Sequence, residues 1–315
     1  MKKILKSAIR GSVQQLLSPL ETLLLNSDSS EPLSPPVFIL GAPRSGTTLL
    51  YELLISHYTF SYFTNLANTF PQTPLAISKL SHRFKTHWQG GQKSEFGYVK
   101  GFGAPSEAGS LWDRWIPEFG YLGKEEIESR RKSLSEAAQV IQKLQHIQQA
   151  PFINKNVMHS VHIEFLNAAF PNCLFIDLRR EMKANVRSIV RAREYEAGPK
   201  ADKEGWWSVK PRNVDQWCGR SLEEQACAQL IFLRKDSEAG FKVIGENRRL
   251  IVNYEKLCLQ PTLVVEEIAS FLKPSIGKLN VRQPLVTTIK PSPSKLFDLK
   301  REALIEQTLL ELEEG

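Results

Sequence analysis

Residues 37–50 limit the possible folds of this chain more than any other segment. They read Val-Phe-Ile-Leu-Gly-Ala-Pro-Arg-Ser-Gly-Thr-Thr-Leu-Leu. The apolar run is typical of a buried strand, the Gly-Pro-Ser-Gly part of a loop, and the last residues of a helix. A strand that turns directly into a helix aims backbone N–H groups and the positive end of the helix dipole at one point. The segment therefore favours an anion-binding loop over an ordinary strand-turn-helix.

The spacing of the glycines and threonines in this loop limits which anions it is expected to bind. Gly41-x-x-x-x-Gly46-Thr47-Thr48 matches the nucleotide-triphosphate loop, except that Thr47 replaces the lysine that reaches the terminal phosphates. Without that lysine, Arg44 can offer a planar guanidinium to phosphate or sulfate oxygens. The predicted binding residues are Arg44, Ser45, Gly46, Thr47 and Thr48.

Buried apolar runs alternate with helical stretches along most of the chain. The predicted strands are 37–41, 152–156, 174–179 and 250–254, and the predicted helices are 47–57, 125–149, 160–169, 182–195, 221–239 and 261–272. This alternation predicts an α/β fold with a parallel sheet, helices on both faces and ligands at the carboxyl ends of the strands. Arg44, Arg180 and Tyr254 should then lie at the same edge of the sheet.

Composition is consistent with an enzyme built around one sizeable core, since 42% of the 315 residues are hydrophobic and 24% are charged. The net charge of +7 suits anionic ligands, but the chain lacks the dense basic runs of a nucleic-acid-binding protein. Its four cysteines have no metal-ligand spacing, which favours a reducing compartment. Because no apolar run reaches the length of a membrane span, a cytoplasmic location is expected.

Two segments resemble those of a known enzyme family. The string Gly-x-Pro-Arg-Ser-Gly-Thr-Thr resembles the 5′-phosphosulfate loop of sulfotransferases, which use 3′-phosphoadenosine-5′-phosphosulfate (PAPS). The family's 3′-phosphate site is a strand ending in Arg, followed eight residues later by Ser on the next helix. Residues 174–188 are similar, with Arg180 and Ser188 at the matching positions and Arg179 as a neighbour.

Two further segments extend this resemblance to about residues 36–272. Residues 249–257 resemble the family's strand-Tyr-Glu-(Asp/Lys)-Leu segment, whose tyrosine, here Tyr254, lies near the adenine in relatives. Residues 154–159 resemble the Lys-x-Pro-x-His stretch of the bacterial-type branch, with Val157 in place of the proline. The resemblance implies a single P-loop nucleotide-hydrolase-like α/β domain, with helical and loop insertions that form the acceptor site.

The resemblance also implies the chemistry. A sulfotransferase moves a sulfuryl group from PAPS to a hydroxyl or amine by in-line displacement, releases 3′-phosphoadenosine 5′-phosphate (PAP) and requires no metal for this step. Such a reaction needs a base and a cation near the leaving oxygen.

Three residues are candidates for these catalytic roles. Glu107 stands where bacterial-type relatives carry a Pro-x-Glu acid, although it would also suit the cap of a helix starting near Pro105. His159 is the rival base, because an unperturbed histidine has a pKa near 6.5. Lys155 matches the family's lysine and could act at the sulfuryl group, with a solvated surface lysine as the alternative.

The acceptor is less constrained by the sequence. Aromatic residues are dense outside the predicted sheet, which favours an apolar or aromatic acceptor: Phe102, Trp112, Trp115, Phe119, Tyr121, Trp206, Trp207 and Trp217. Residues 195–207 have the composition of a loop that closes over substrate. Phenols, sterols, lipids, sugars and peptides are all compatible, and the oligomeric state is left open.

The two ends of the chain lie outside the resemblance. Residues 1–35 predict an amphipathic basic helix and a linker, residues 36–280 the sulfotransferase domain, and residues 281–315 a basic loop and a helix. The N-terminal helix could pack against the domain, or it could contact an anionic membrane surface and present a lipid-like substrate.

Two other functions compete with sulfuryl transfer. The strand at 174–177 ends in an aspartate, as does the magnesium-binding strand of nucleotide phosphotransferases, although Thr47 argues against that class. A PAPS-binding protein that has lost catalysis and serves as an interaction module would carry the same phosphate motifs.

Overall fold

A four-stranded parallel sheet forms the centre of the protein. The computed structural model describes residues 2–27, 34–83, 99–116, 120–197, 206–285, 288–291 and 295–314. The strands are β1 (Val37–Leu40), β2 (Ile153–Lys155), β3 (Leu174–Arg179) and β4 (Arg249–Asn253). Their order is β2-β1-β3-β4, so β1 lies between two partners, with Val37 beside Ile153 on one side and Leu174 on the other.

Helices make up most of the remainder. They are α1 (Lys2–Asn26), α2 (Thr47–His57), α3 (Asn65–Thr69), α4 (Pro74–Arg83), α5 (Gly109–Trp112), α6 (Lys124–Ser129), α7 (Arg131–Gln148), α8 (Ile163–Ala169), α9 (Met182–Ala197), α10 (Leu222–Ile244), α11 (Tyr254–Leu259), α12 (Pro261–Ile276) and α13 (Leu299–Glu314). Short 3₁₀ helices span Val157–Val161, Asp215–Trp217 and Glu246–Arg248.

Helices cover both faces of the sheet. Since side chains alternate along a strand, Val37 and Ile39 point to one face and Phe38 and Leu40 to the other. The first pair packs with apolar residues of α2 and α12, and the second with residues of α7, α8 and α10. This arrangement confirms the predicted single α/β domain with a parallel sheet.

Several predicted boundaries were wrong. The single helix predicted over 125–149 is two helices, because the backbone of Arg130 leaves the helical region (φ −101°, ψ 21°) and ends α6. The helix predicted from residue 160 begins at Ile163, after a 3₁₀ helix. The helix predicted to end at residue 239 continues to Ile244 and stops before Gly245, whose φ is +101°.

The N-terminal helix α1 packs against α4 and α7. The buried carboxylate of Glu21 accepts hydrogen bonds from the backbone N–H groups of Leu75 (3.3 Å) and Ala76 (2.8 Å), in the first turn of α4. This contact supports the packing interpretation of α1. Three apolar side chains of α1 remain exposed by 54%, 79% and 67%, respectively: Ile9, Leu16 and Leu23. Among the described residues, no helix has both the length and the apolar character needed to cross a bilayer.

The C-terminal helix α13 packs against α9 and α10. Ile305 is fully buried there, and Glu302 accepts hydrogen bonds from the Arg187 guanidinium at 2.8–3.1 Å. The predicted C-terminal helix is therefore part of the packed structure.

Glu52, in the middle of α2, makes stability depend on pH. Burial raises the pKa of this carboxyl from 4.5 to about 7. Between these values the folded protein binds more protons than the unfolded chain, so the free energy of unfolding falls as pH rises through this window. We expect Glu52→Gln to raise that free energy by about 1 kcal/mol at pH 8, allowing for partial exposure, and to change it little at pH 4.

Urea unfolding of both proteins at the two pH values measures this difference. An equal gain at pH 4 and pH 8 would contradict it, because the effect would then not come from the carboxylate charge.

Candidate functional site

The loop after β1 is packed so tightly that two of its positions require glycine. Gly41 has φ +148° and Gly46 has φ +100°. The backbone of Arg44, between them, lies in the left-handed region, with φ +64°. A Cβ atom on Gly41 would lie 2.7 Å from the carbonyl oxygen of Leu178, and one on Gly46 would lie 2.4 Å from the ring of Tyr254. The loop is thus held in one conformation against β3 and α11.

Two buried polar side chains hold this loop from other elements. Ser160 Oγ accepts a hydrogen bond from the backbone N–H of Gly41 at 3.1 Å. Asn185 Nδ2 in α9 donates to the carbonyl oxygen of Pro43 at 2.7 Å. Sequence reasoning missed both residues, although Ser160 directly follows the 154–159 segment of the family resemblance and Asn185 lies within the 174–188 segment.

The loop ends at the N-terminus of α2 and can bind an anion. The first hydrogen bond inside this helix runs from Leu50 N to Gly46 O at 3.2 Å, so the N–H groups of the preceding turn have no acceptor within the helix. Ser45 Oγ is buried and has no hydrogen-bond partner among the described residues. A phosphate or sulfate group fits these donors and the positive end of the helix dipole.

Arg44, Arg180 and Tyr254 meet at this loop, as the predicted sheet edge implied. Arg180 Nη1 donates to the carbonyl oxygen of Arg44 at 3.1 Å, and its guanidinium carbon lies 4.7 Å from the centre of the Tyr254 ring. Burial, and then the positive charge of Arg180, lower the pKa of Arg44. An anionic ligand would relieve the repulsion between the two guanidinium groups.

Glu107 lies before α5, and its carboxylate forms an ion pair with Lys155 at the end of β2. Lys155 is only 3% exposed, so the interpretation as a solvated surface lysine was wrong. The helix-cap interpretation of Glu107 was also wrong, because α5 begins at Gly109 with Ala108 (φ +57°) as its N-cap residue. Asn156 Nδ2 donates to the carbonyl oxygen of Glu107 at 3.2 Å and helps to position it.

His159 is buried and neutral, donates a hydrogen bond from Nε2 and has Nδ1 as its acceptor atom. Its Nε2 lies 2.9 Å from Asn154 Oδ1, which also accepts the indole N–H of Trp112 at 2.9 Å. Since that amide oxygen can only accept, Nε2 carries the hydrogen and Nδ1 keeps a lone pair. Burial, followed by the charges of His162 and Lys155, lowers the pKa of His159 well below 6.5.

Asn154 is a positioning residue that sequence reasoning missed. Besides accepting from Trp112 and His159, it donates through Nδ2 to the carbonyl oxygen of Ser106 at 3.1 Å, next to Glu107. The sequence feature that could have identified Asn154 is an amide side chain in the middle of the segment predicted as a short buried strand.

Two cavities meet at Glu107. The smaller one is a narrow pocket lined by Thr48 and Tyr51 of α2 and by the Glu107–Lys155 pair. The larger one, of about 360 Å³, is an open cleft that we call the Glu107 cleft. Its wall includes Glu107, Trp112, Asp113, Val157, Met158 and His159. We call the loop from Gly41 to Thr48 the phosphate loop, and α2 is the helix that follows it. Glu107 therefore lies between α2 and a space large enough for a small molecule.

The sequence also matches a family model over most of its length. Residues 35–275 match the model of the sulfotransferase family. The chain belongs to the sulfotransferase family. No curated protein is significantly similar to it in sequence.

Solved structures agree with this assignment at the level of the fold. Sulfotransferase STF9 from Mycobacterium avium is 17% identical, with a TM-score of 0.52 over 95% of this chain and 72% of that one. Sulfotransferase STF1 from Mycobacterium tuberculosis H37Rv is 15% identical, with a TM-score of 0.52 over 84% of this chain and 72% of that one. These neighbours show that the sulfotransferase has the family's P-loop-like fold.

The two adjacent arginines at the end of β3 have different partners in this sulfotransferase. Arg179 Nη2 lies 2.8 Å from Asp177 Oδ2 and also pairs with Glu238, whereas Arg180 faces the phosphate loop. Ser188 is half-buried in the second turn of α9, and its binding role stays a prediction.

Asp177 is the residue on which the magnesium interpretation depended. Its carboxylate faces Arg179 and also lies 3.7 Å from Arg249. Within the described ranges, no cluster of three or more His, Cys, Asp or Glu side chains could hold a metal ion. The carboxylate is thus already neutralised by arginines, which weakens the case for a cation ligand at this position.

Most of the aromatic residues that favoured an apolar acceptor lie outside the Glu107 cleft of the sulfotransferase. Trp112 lines the Glu107 cleft, but Trp115 is fully buried in the core and Phe102 is 77% exposed. Trp206, Trp207 and Trp217 pack with α9, α10 and α13, and the Tyr121 hydroxyl donates to Glu164. Phe119 and residues 198–205 of the predicted closing loop lie outside the described residues. Among the described aromatic residues of this set, Trp112 is the one that lines the Glu107 cleft.

Proposed function

We propose that this sulfotransferase uses PAPS as its donor and sulfates a hydroxyl or amine of a small molecule bound in the Glu107 cleft, releasing PAP. The observation that carries this proposal is the position of Glu107, which lines both the cavity beside the phosphate-loop helix and the cleft. A base there is next to both substrates.

The phosphate loop supplies the donor site in this proposal. Residues Arg44 to Thr48 hold the phosphosulfate through backbone N–H groups, hydroxyls and a guanidinium, and the unpartnered Ser45 Oγ supports this role. Arg180 and Ser188 bind the 3′-phosphate, and Tyr254 lies beside Arg180 on the nucleotide side.

The chemical step needs one proton transfer. Glu107 takes the proton of the acceptor hydroxyl, whose oxygen forms a new bond to sulfur as the bond between sulfur and the bridging phosphate oxygen breaks. The electron pair of that bond leaves with PAP, and the ammonium of Lys155 stabilises the charge that develops there. His159 is the alternative base, but its lowered pKa makes it a weak one.

Binding of PAP tests the donor assignment. We expect isothermal titration calorimetry without metal to detect PAP binding, and we expect Arg180→Ala to weaken it about 10-fold to 100-fold through the loss of charged hydrogen bonds. Arg220→Ala is the matched control, because it removes one positive charge from an exposed pair with Glu224. Stronger binding of magnesium-ATP than of PAP would instead favour a phosphotransferase.

A further inference from the structure

The Glu107 cleft is lined by negative but not by positive side chains. Glu107 and Asp113 are its carboxylates, and no lysine or arginine lines it within the part of the chain that the structure describes. Lys155, in the smaller cavity, is ion-paired with Glu107, so Asp113 supplies the uncompensated negative charge of the cleft among the described residues. Asp113 is exposed, and the burial of part of its side chain raises its pKa, so a cationic partner would stabilise its charged form to a modest extent. A ligand with a negative charge would meet repulsion here.

The same cleft offers hydrogen-bond acceptors that lack donors. His159 is only 1% exposed, and its Nδ1 has no partner among the described residues. Asn68 Oδ1 is likewise buried, with no donor found in the described ranges. A buried acceptor without a partner costs free energy, and a ligand that donates a hydrogen bond recovers it. Because His159 and Asn68 both line the cleft, their unpaired acceptor atoms favour a ligand that can donate hydrogen bonds.

One wall of the cleft is apolar. It is formed by Trp112, Ile116, Val157 and Met158. Aromatic and methionine side chains bind the apolar body of a ligand, and methionine adapts to its shape. The cleft thus combines an apolar wall with acidic and hydrogen-bond-accepting groups.

We infer that the acceptor is a hydroxyl compound with an apolar body and a cationic or hydrogen-bond-donating head group, and that anionic acceptors are selected against. This inference rests on the proposed function, since it places the reacting hydroxyl at Glu107. The head group lies toward Asp113 and donates to the free acceptor atoms of the cleft. An amino alcohol or a phenol with an amine side chain has this chemistry.

Three phenols with the same ring test the inference: tyramine (cationic), tyrosol (neutral) and 4-hydroxyphenylacetate (anionic). Their affinities for the PAP-loaded protein are measured by ligand-observed NMR at pH 7. We expect tyramine to bind about 2-fold to 5-fold more tightly than tyrosol, the range of an ion pair with an exposed carboxylate, and 4-hydroxyphenylacetate to bind most weakly. Equal affinities, the reverse order, or no binding of tyramine at millimolar concentration would overturn the inference.

A variant identifies the group responsible. Asp113→Asn should reduce the ratio of tyramine to tyrosol affinity to about one. Asp298→Asn changes a carboxylate that caps α13 and does not line the cleft, so it should keep the ratio. A ratio that survives Asp113→Asn would remove Asp113 from the proposal. The proposed function fails separately, through absence of PAP binding, whereas PAP binding with the wrong order of phenols contradicts only the acceptor class.

Discussion

Glu107→Gln is expected to lower kcat for sulfate transfer by a factor of about 10² to 10⁴, the range typical for loss of a general base. The amide keeps the shape of the side chain but cannot take the acceptor's proton. Because Glu107 lies outside the phosphate loop, affinity for PAP should not fall. Steady-state kinetics with a good acceptor, together with calorimetry for PAP, measure the two effects on one preparation.

The ion pair with Lys155 complicates this variant and also provides its control. Removing the carboxylate leaves a buried ammonium without its counter-ion, and this should lower thermal stability. Glu107→Gln combined with Lys155→Met removes both charges and should recover stability without recovering turnover. If the double variant regained activity, Glu107 would be a partner of Lys155 and not the base. Unchanged turnover in the single variant, with loss in His159→Ala, would move the base to His159.

Gly46→Ala should reduce PAP affinity at least 100-fold, because the loop cannot keep its conformation with a methyl group at this position. The new Cβ would lie 2.4 Å from the Tyr254 ring, at a φ of +100° that L residues rarely adopt. Tyr254 is itself buried between the loop and Arg180, so it cannot move aside without disturbing the guanidinium. Calorimetry for PAP and thermal unfolding on the same variant measure the loss.

A substitution at a second glycine separates the cost of the strained backbone from the cost of steric overlap with Tyr254. Gly219 also has a positive φ, +83°, but a Cβ there would meet no atom within 4 Å. Gly219→Ala therefore reports the cost of the backbone conformation alone, about 1 kcal/mol or more, and should leave PAP binding intact. If Gly46→Ala bound PAP as well as Gly219→Ala does, the packing of the loop against Tyr254 would not be needed for the donor site.

The sequence predicted the parts of the fold that depend on local pattern. The apolar runs at 37–41 and 174–179 are strands of the parallel sheet, and the fourth predicted strand differs from Arg249–Asn253 by one residue at each end. The backbone conformation of the phosphate loop could also be predicted, because the spacing of its glycines follows directly from that conformation.

The contacts that build the site could not be predicted from the sequence, because they join distant parts of the chain. Glu107 and Lys155 are 48 residues apart, and Asn185 and Pro43 are 142 apart. Spacing along one segment carries no information about such pairs. For the same reason the aromatic residues could not be divided into core and cleft: Trp112 and Trp115 are three residues apart, yet only Trp112 of the two lines the cleft.

The contact between Glu21 and α4 bears on where the independently folding unit of this sulfotransferase begins. The segment shared with the family starts at residue 35. The first N–H groups of α4 nevertheless donate to the carboxylate of Glu21, which precedes this boundary. Cutting the chain at the boundary would leave those groups unsatisfied and uncover the surfaces of α4 and α7 that α1 protects. We therefore expect the unit that folds cooperatively to begin before residue 35, where the match to the family model starts.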